Sequence, residues 1–139
     1  MFNTMDVSTS ALVAQRTNLD TIAGNIANMY TTRDAEGNAE PYRRRIALFA
    51  PGDPSQGDGA AGVHVAKIVE SDAPFRLVYD PSHPDAIKEG EQAGYVRMPN
   101  VNYSTEMINA ITAARYYEAN VTVMDITKTM AAASLQLLG

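Results

Sequence analysis

The stretch from Ser104 to Leu138 constrains this chain more than any other: thirty-five residues contain neither glycine nor proline. Apolar or small residues recur through it at spacings of three and four, as Met107, Ala110, Ala114, Tyr117, Val121, Met124, Ala131, Leu135 and Leu138. One slot in the series, Lys128, carries a charge. A mean spacing of about 3.5 marks a helix that lies along a partner rather than on a broad core. At 1.5 Å per residue such a helix is about 50 Å long. A globule of 139 residues has a radius of gyration of roughly 14 Å. A helix of that length needs something beside it.

The other end of the chain supplies a candidate. Met1 to about Met29 reads as a second helix, in which Met5, Leu12, Leu19 and Ile26 repeat every seven residues. Ile22 and Met29 fill the intervening slots, whereas Ser8 and Gln15 occupy them earlier and weaken the seam there. Ala23, Gly24 and Ala27 leave room for a neighbouring backbone, although Gly24 costs about 1 kcal/mol of helix stability relative to alanine. The simplest arrangement pairs the two ends as an antiparallel coiled coil; the alternative docks each end on the middle of the chain. The expected seam is Met5, Leu12, Leu19, Ile22 and Ile26 against Met107, Ala110, Ala114, Tyr117, Val121, Met124 and Leu135.

The seven prolines all fall between Pro41 and Pro99, and this shift in composition sets the boundaries. Tyr42, Arg44, Ile46 and Leu48 alternate with Arg43, Arg45, Ala47 and Phe49, a period of two that predicts a strand. Val63 to Val69 and Phe75 to Tyr79 are β-branched and apolar enough for two more, and Tyr95 to Met98 is a short fourth. PGDPSQGDGAAG, from Pro51 to Gly62, reads as a mobile loop. The fold class is therefore α+β. Residues 1–30 and 104–139 form a helical unit, and residues 31–103 form a small loop-rich β-domain of three or four strands. At the start of the second helix Ser104 is the expected cap, with Asn102 its competitor and Glu106 an early carboxylate near the positive end of the dipole.

Several functions are disfavoured at this level. A formal net charge of −5 argues against nucleic acid, because phosphate affinity needs clustered positive charge. Arg43, Arg44 and Arg45 are the one basic cluster, but alternation on a strand splits them between two faces. A solvated or inter-subunit ion-pairing role suits them better. The absence of cysteine removes disulfides and thiolate chemistry. No apolar run is long enough to span a membrane, and MFNTMDVSTSAL lacks the basic and apolar blocks of an ordinary secretory signal.

Catalytic, cofactor-binding and metal residues are not expected. DPSHPDA places His83 between Asp80 and Asp85, a conceivable ligand set, yet its two prolines make it first a turn. His64 alternates with valines as a strand residue. The Gly-rich loop precedes a strand and carries acid instead of lysine, so it is no phosphate loop. Asn25, Asn28 and Asn120 are unusual inside helices. Asn25 and Asn28 either terminate a frayed helix or hydrogen-bond across helices to fix their register.

Five segments, taken together and in order, resemble a known family. AGNIANMYTT is similar to the N-terminal signature of bacterial flagellar rod, hook and hook-associated proteins. EPYRRRIALFA, VYDPSHPDA, GYVRMPNVNYSTEM and ARYYEANVTVMDITKTM resemble the proximal rod family of the basal body, FlgC. The resemblance covers almost the whole chain and is weakest between Pro51 and Gly62. It implies a non-enzymatic subunit that polymerises with other rod subunits into a hollow drive shaft across the periplasm, coupling the basal-body base to the hook. It further implies paired terminal helices around the channel, unfolded before assembly, with β-structure outside. Export is implied through the flagellar type III apparatus, without a cleaved signal. On this reading Asn25, Asn28, Tyr116 and Asn120 contribute to subunit contacts. No small-molecule substrate, nucleic acid or membrane span is expected. A soluble helical adaptor or secretion chaperone is the alternative, and a metal enzyme built on His83 a more distant one.

Overall fold

The computed structural model describes residues 2–52 and 61–136, with side chains from residue 4 onward. Leu138 of the apolar series and most of the PGDPSQGDGAAG loop lie outside the described residues. Helix α1 spans Phe2–Ala27 and helix α2 spans Tyr103–Gln136. Asn28 ends α1: its Nδ2 donates to Gly24 O at 2.9 Å, and its Oδ1 accepts from the Thr31 hydroxyl at 3.2 Å. At the start of α2 the cap is Asn102 rather than Ser104. Its Oδ1 accepts from Thr105 N at 3.1 Å and its carbonyl from Glu106 N at 3.0 Å. The 34 residues of α2 make a rod about 51 Å long.

Four strands lie between the helices: β1 (Arg45–Pro51), β2 (Val63–Glu70), β3 (Arg76–Tyr79) and β4 (Tyr95–Met98). They form two separate antiparallel hairpins, β1–β2 and β3–β4, and no single sheet joins them. The first pairs Arg45 with Glu70 and Pro51 with Val63, with a bulge between Leu48 and Phe49; the second pairs Arg76 with Met98 and Tyr79 with Tyr95. The strand expected from Tyr42 starts only at Arg45. The Tyr42 amide donates to Thr31 O at 3.0 Å and the Arg44 amide to Asn100 Oδ1 at 2.7 Å, so that backbone is engaged outside the sheet. Gly94 opens β4 at φ 85°. A Cβ there would sit 2.8 Å from the Tyr79 ring, so both its conformation and the close approach favour glycine.

β1, β2 and α2 all pack on α1. Asn25 meets Glu106 at 2.9 Å, and α1 ends two residues after Asn25. The rest of α2 can therefore reach α1 only along residues before Asn25, and the two helices run in opposite directions. The buried apolar set among the described residues is thin and mostly small: Ala14, Ile22, Ala47, Val96, Val101 and Ala113. Ile108, Ile126, Met130 and Leu135 stand in solvent. An isolated monomer rarely leaves so much of its large apolar content outside.

Candidate functional site

At the end of the helix pair nearest the hairpins, polar side chains take the place of a hydrophobic core. Asn25 and Glu106 are both 0% exposed. The Asn25 Nδ2 donates to Arg45 O at 2.8 Å and to Glu106 Oε2 at 2.9 Å. Its Oδ1 accepts from Arg45 N at 2.8 Å and from the Tyr42 hydroxyl at 3.0 Å. All four hydrogen-bonding sites of one amide are thus used. Glu106 in turn accepts from Arg44 Nε at 2.6 Å, a short charge-assisted bond. Asn100 extends the cluster, donating through Nδ2 to Ser71 O and Ala73 O at 3.2 and 3.0 Å. This joint ties α1, the lead-in to β1 and the first turn of α2 to one another.

The joint accounts for residues that are costly to bury singly. A buried carboxylate without a partner is strongly destabilising, while a pair whose remaining sites are hydrogen-bonded is tolerated. Burial pushes the Tyr42 hydroxyl above its ordinary pKa; Arg45 pulls it down, and Glu70 and Glu106 push it further up. The neutral hydroxyl, the form that donates to Asn25, is therefore the one the fold favours. A second polar contact fastens the chain after α1 to the β3–β4 loop. Arg33 Nε and the Thr32 hydroxyl donate to the two oxygens of Asp85, each at 2.8 Å. The Arg33 hydrogen bond leads, followed by that from Thr32, in holding the Asp85 carboxyl below its usual range. His83 belongs to the same turn, where its Nδ1 accepts from Asp85 N at 3.1 Å.

The arginines divide accordingly. Arg44 pairs within the chain, which corrects the expectation of a solvated or inter-subunit role for it. Arg43 lies 4.5 Å from the Phe75 ring centroid, and Arg45, exposed, lies 5.5 Å from that of Tyr42.

Of the twelve expected seam residues, Ile22 alone is fully buried. Met5, Leu12, Leu19, Ile26, Ala110, Ala114 and Met124 are partly buried. Met107, Tyr117 and Val121 are each 37% exposed and Leu135 70%. The helices meet at the Asn25–Glu106 hydrogen bond, and Gln15, Asn18 and Ile22 on α1 line one cleft with Glu106, Asn109 and Ala113 on α2. The Asn25–Glu106 hydrogen bond fixes the two helices to one another at this end.

The four expected subunit-contact residues also separate. Asn25 is engaged wholly inside the chain, so its side chain is not free for a neighbour. Asn28 caps α1, Asn120 donates to Tyr116 O at 2.8 Å, and Tyr116 is exposed. The role of Glu106 in the joint was missed, because a carboxylate in a first helical turn already has an explanation in the helix dipole. Among the described residues, no group of three or more His, Asp or Glu side chains is arranged to hold a metal ion. No described helix is long and apolar enough to cross a membrane.

Comparison with known proteins finds two family models along the chain. Residues 5–33 match "Flagella basal body rod protein", and residues 92–137 match "Flagellar basal body rod FlgEFG protein C-terminal". Several curated proteins are similar over almost their full length, each described as a flagellar basal-body rod protein, FlgC. The Borreliella burgdorferi protein is 40% identical, covering 99% of this chain and 97% of its own. The Bacillus subtilis protein is 42% identical, covering 98% and 97%. The Salmonella typhimurium protein is 39% identical, covering 99% and 97%.

Proposed function

The chain belongs to the FlgC family of flagellar basal-body rod proteins, and on that premise we propose that it is a structural subunit of the proximal rod. It polymerises with related rod subunits into the hollow shaft that carries torque from motor to hook. The observation that carries this reading is the pairing of two long helices over a thin core, with Ile108, Ile126, Met130 and Leu135 left in solvent. Such helices gain little alone and gain much from packing, and contacts that do not close into a ring build helical filaments.

In the assembled rod, residues 1–30 and 104–139 form the inner helical layer as an antiparallel coiled coil, with residues 31–103 outside it. Asn28, Tyr116 and Asn120 reach neighbouring subunits. The subunit resides in the periplasmic rod, contacts the basal-body base, and travels through the flagellar type III export apparatus without a cleaved signal. It carries no catalytic role. Nothing in the fold or among the relatives favours a soluble adaptor or secretion chaperone.

A Val121→Asp variant tests the proposal, because it puts a charge on a partly exposed flank of α2. The expected result is loss of the subunit from purified basal bodies and loss of swimming. Wild-type motility in that variant contradicts it.

A further inference from the structure

Each two-stranded hairpin has two outer edges, and the fold engages one edge of each. On β1 the Asn25 amide takes both backbone groups of Arg45. On β4 the Tyr95 carbonyl accepts from Ile87 N at 2.9 Å. β2 and β3 have no strand beyond them among the described residues. Residues of an antiparallel ladder alternate between facing their partner and facing away. Gly52 N donates to Gly62 O and Ser71 N to Arg44 O, so the residues of β2 that turn outward are Val63, Val65, Ile68 and Glu70. Ser10 Oγ takes the Val63 amide at 3.1 Å; the outward backbone of the other three meets no partner among the described residues. On β3, where Asp80 N donates to Gly94 O, the outward residues are Leu77 and Tyr79.

The β2 edge opens onto a groove. A cleft of about 570 Å³ lies between it and α1, with Val13, Ala14 and Thr17 on the helix wall. Val65, Lys67 and Ile68 form the other wall. They come from both faces of the strand, which only a strand's edge presents together. Thr17 and Ile68 continue into an adjoining cleft toward Gly24. A free edge beside a helix is a seat for an extended strand, held by main-chain hydrogen bonds. The chain itself carries such a strand: all of β3 is exposed, with Leu77, Val78 and Tyr79 in solvent.

We infer that β3 of a second copy of this chain adds antiparallel to the β2 edge, with Tyr79 opposite Ile68 in the groove. The inference rests on the rod-subunit reading and adds to it which surfaces meet. Outward residues must face outward residues, which restricts the register to steps of two. With Ile68 against Tyr79, Glu70 faces Leu77, Val69 faces Val78 and Lys67 faces Asp80. Lys67 has no carboxylate and Asp80 no cation within ion-pairing distance among the described residues. Ser82 bonds only Oδ1 of Asp80, which leaves Oδ2 for the lysine. A slip of two in one direction sets Lys67 against Val78. In the other it sets Pro81, which has no N–H, against Ile68. A parallel strand with Tyr79 beside Ile68 sets Asp80 against Val69. Edge and strand are different patches, so the contact is heterologous and passes from copy to copy. It also closes both edges the subunit leaves open.

The chain has no cysteine, so engineered thiols report cleanly. In this register Val69 and Val78 are a non-hydrogen-bonded pair, with Cα atoms about 4.5 Å apart, within reach of a disulfide. Val69→Cys and Val78→Cys are placed in two separately tagged copies expressed together, and basal bodies are purified after mild oxidation. The expected result is a disulfide-linked pair carrying both tags, present only when both variants are. It should disappear when Leu77→Cys, on the other face of β3, replaces Val78→Cys. Rods that contain both tagged chains and support swimming, yet give no such pair, overturn the inference. Where the cysteine variants stay out of rods that accept the unmodified chain, a photo-cross-linking residue at position 67 decides. It should capture a second copy within residues 78–82; capture of a different rod protein, or of its own chain alone, overturns the inference. Absence of the unmodified chain from basal bodies is a distinct outcome: it defeats the rod reading itself.

Discussion

The two ends of the helix pair are built on opposite principles. Near Asn25 and Glu106 the helices are held by a polar cluster in which those two side chains are fully buried and every site of the Asn25 amide is used. Beyond Asn120, α2 has no fully buried residue among those described, and most of its apolar side chains are exposed. The first end specifies geometry, since each hydrogen bond is satisfied by only one placement of α1, α2 and the chain entering β1. The second end supplies area without specificity and waits for a partner. A rod subunit needs both: a fixed joint between its helices and its hairpins, and helix surface for its neighbours.

Breaking the joint should have the largest effect on the free subunit. Glu106→Ala leaves Arg44 and the Asn25 amide without their partner. We expect a loss of about 3–5 kcal/mol, the range for opening a buried pair, measured by denaturant unfolding. A loss below about 1 kcal/mol would place the two ends on an equal footing. Asn25→Ala should follow, at about 2–3 kcal/mol, because it strands the Arg45 backbone groups and the Tyr42 hydroxyl.

Tyr42→Phe removes one neutral hydrogen bond and should cost about 1 kcal/mol. It also carries a pH signature. The Tyr42 pKa is raised in the folded chain, so its contribution is complete below the ordinary tyrosine value of about 10. That contribution is lost as pH rises through the higher folded value. Unfolding curves taken across that alkaline window should show the loss in the parent chain and a smaller one in Tyr42→Phe. Met130→Ala, at the open end, should change the stability of the free subunit by no more than about 0.5 kcal/mol while weakening incorporation into rods. If it destabilises the free subunit as Asn25→Ala does, the contrast between the ends is wrong.

The sequence made the helices and strands legible because their periods are local properties. Proline- and glycine-free runs, seven-residue repeats and two-residue alternation located every element to within a few residues. What covers the apolar positions was not legible. Periodicity shows that an apolar face exists, but it does not say whether the chain's own partner or a neighbour covers it. Met107, Tyr117 and Val121 looked like an intrachain seam for that reason. Nor was the joint legible as a unit. Asn25, Tyr42, Arg44 and Glu106 are distant in sequence, and each has a local explanation that hides the shared one. The late start of β1 depended on Asn100 and Thr31 capturing the backbone amides of Arg44 and Tyr42, which no local pattern announces.

Amide hydrogen exchange on the free subunit and on assembled rods tests the contrast most directly. The account predicts strong protection around residues 22–25 and 106–113 in both states. Residues 124–136 should exchange freely in the subunit and become protected in the rod. Uniform protection along all of α2 before assembly, or no gain at its far end afterwards, would contradict it.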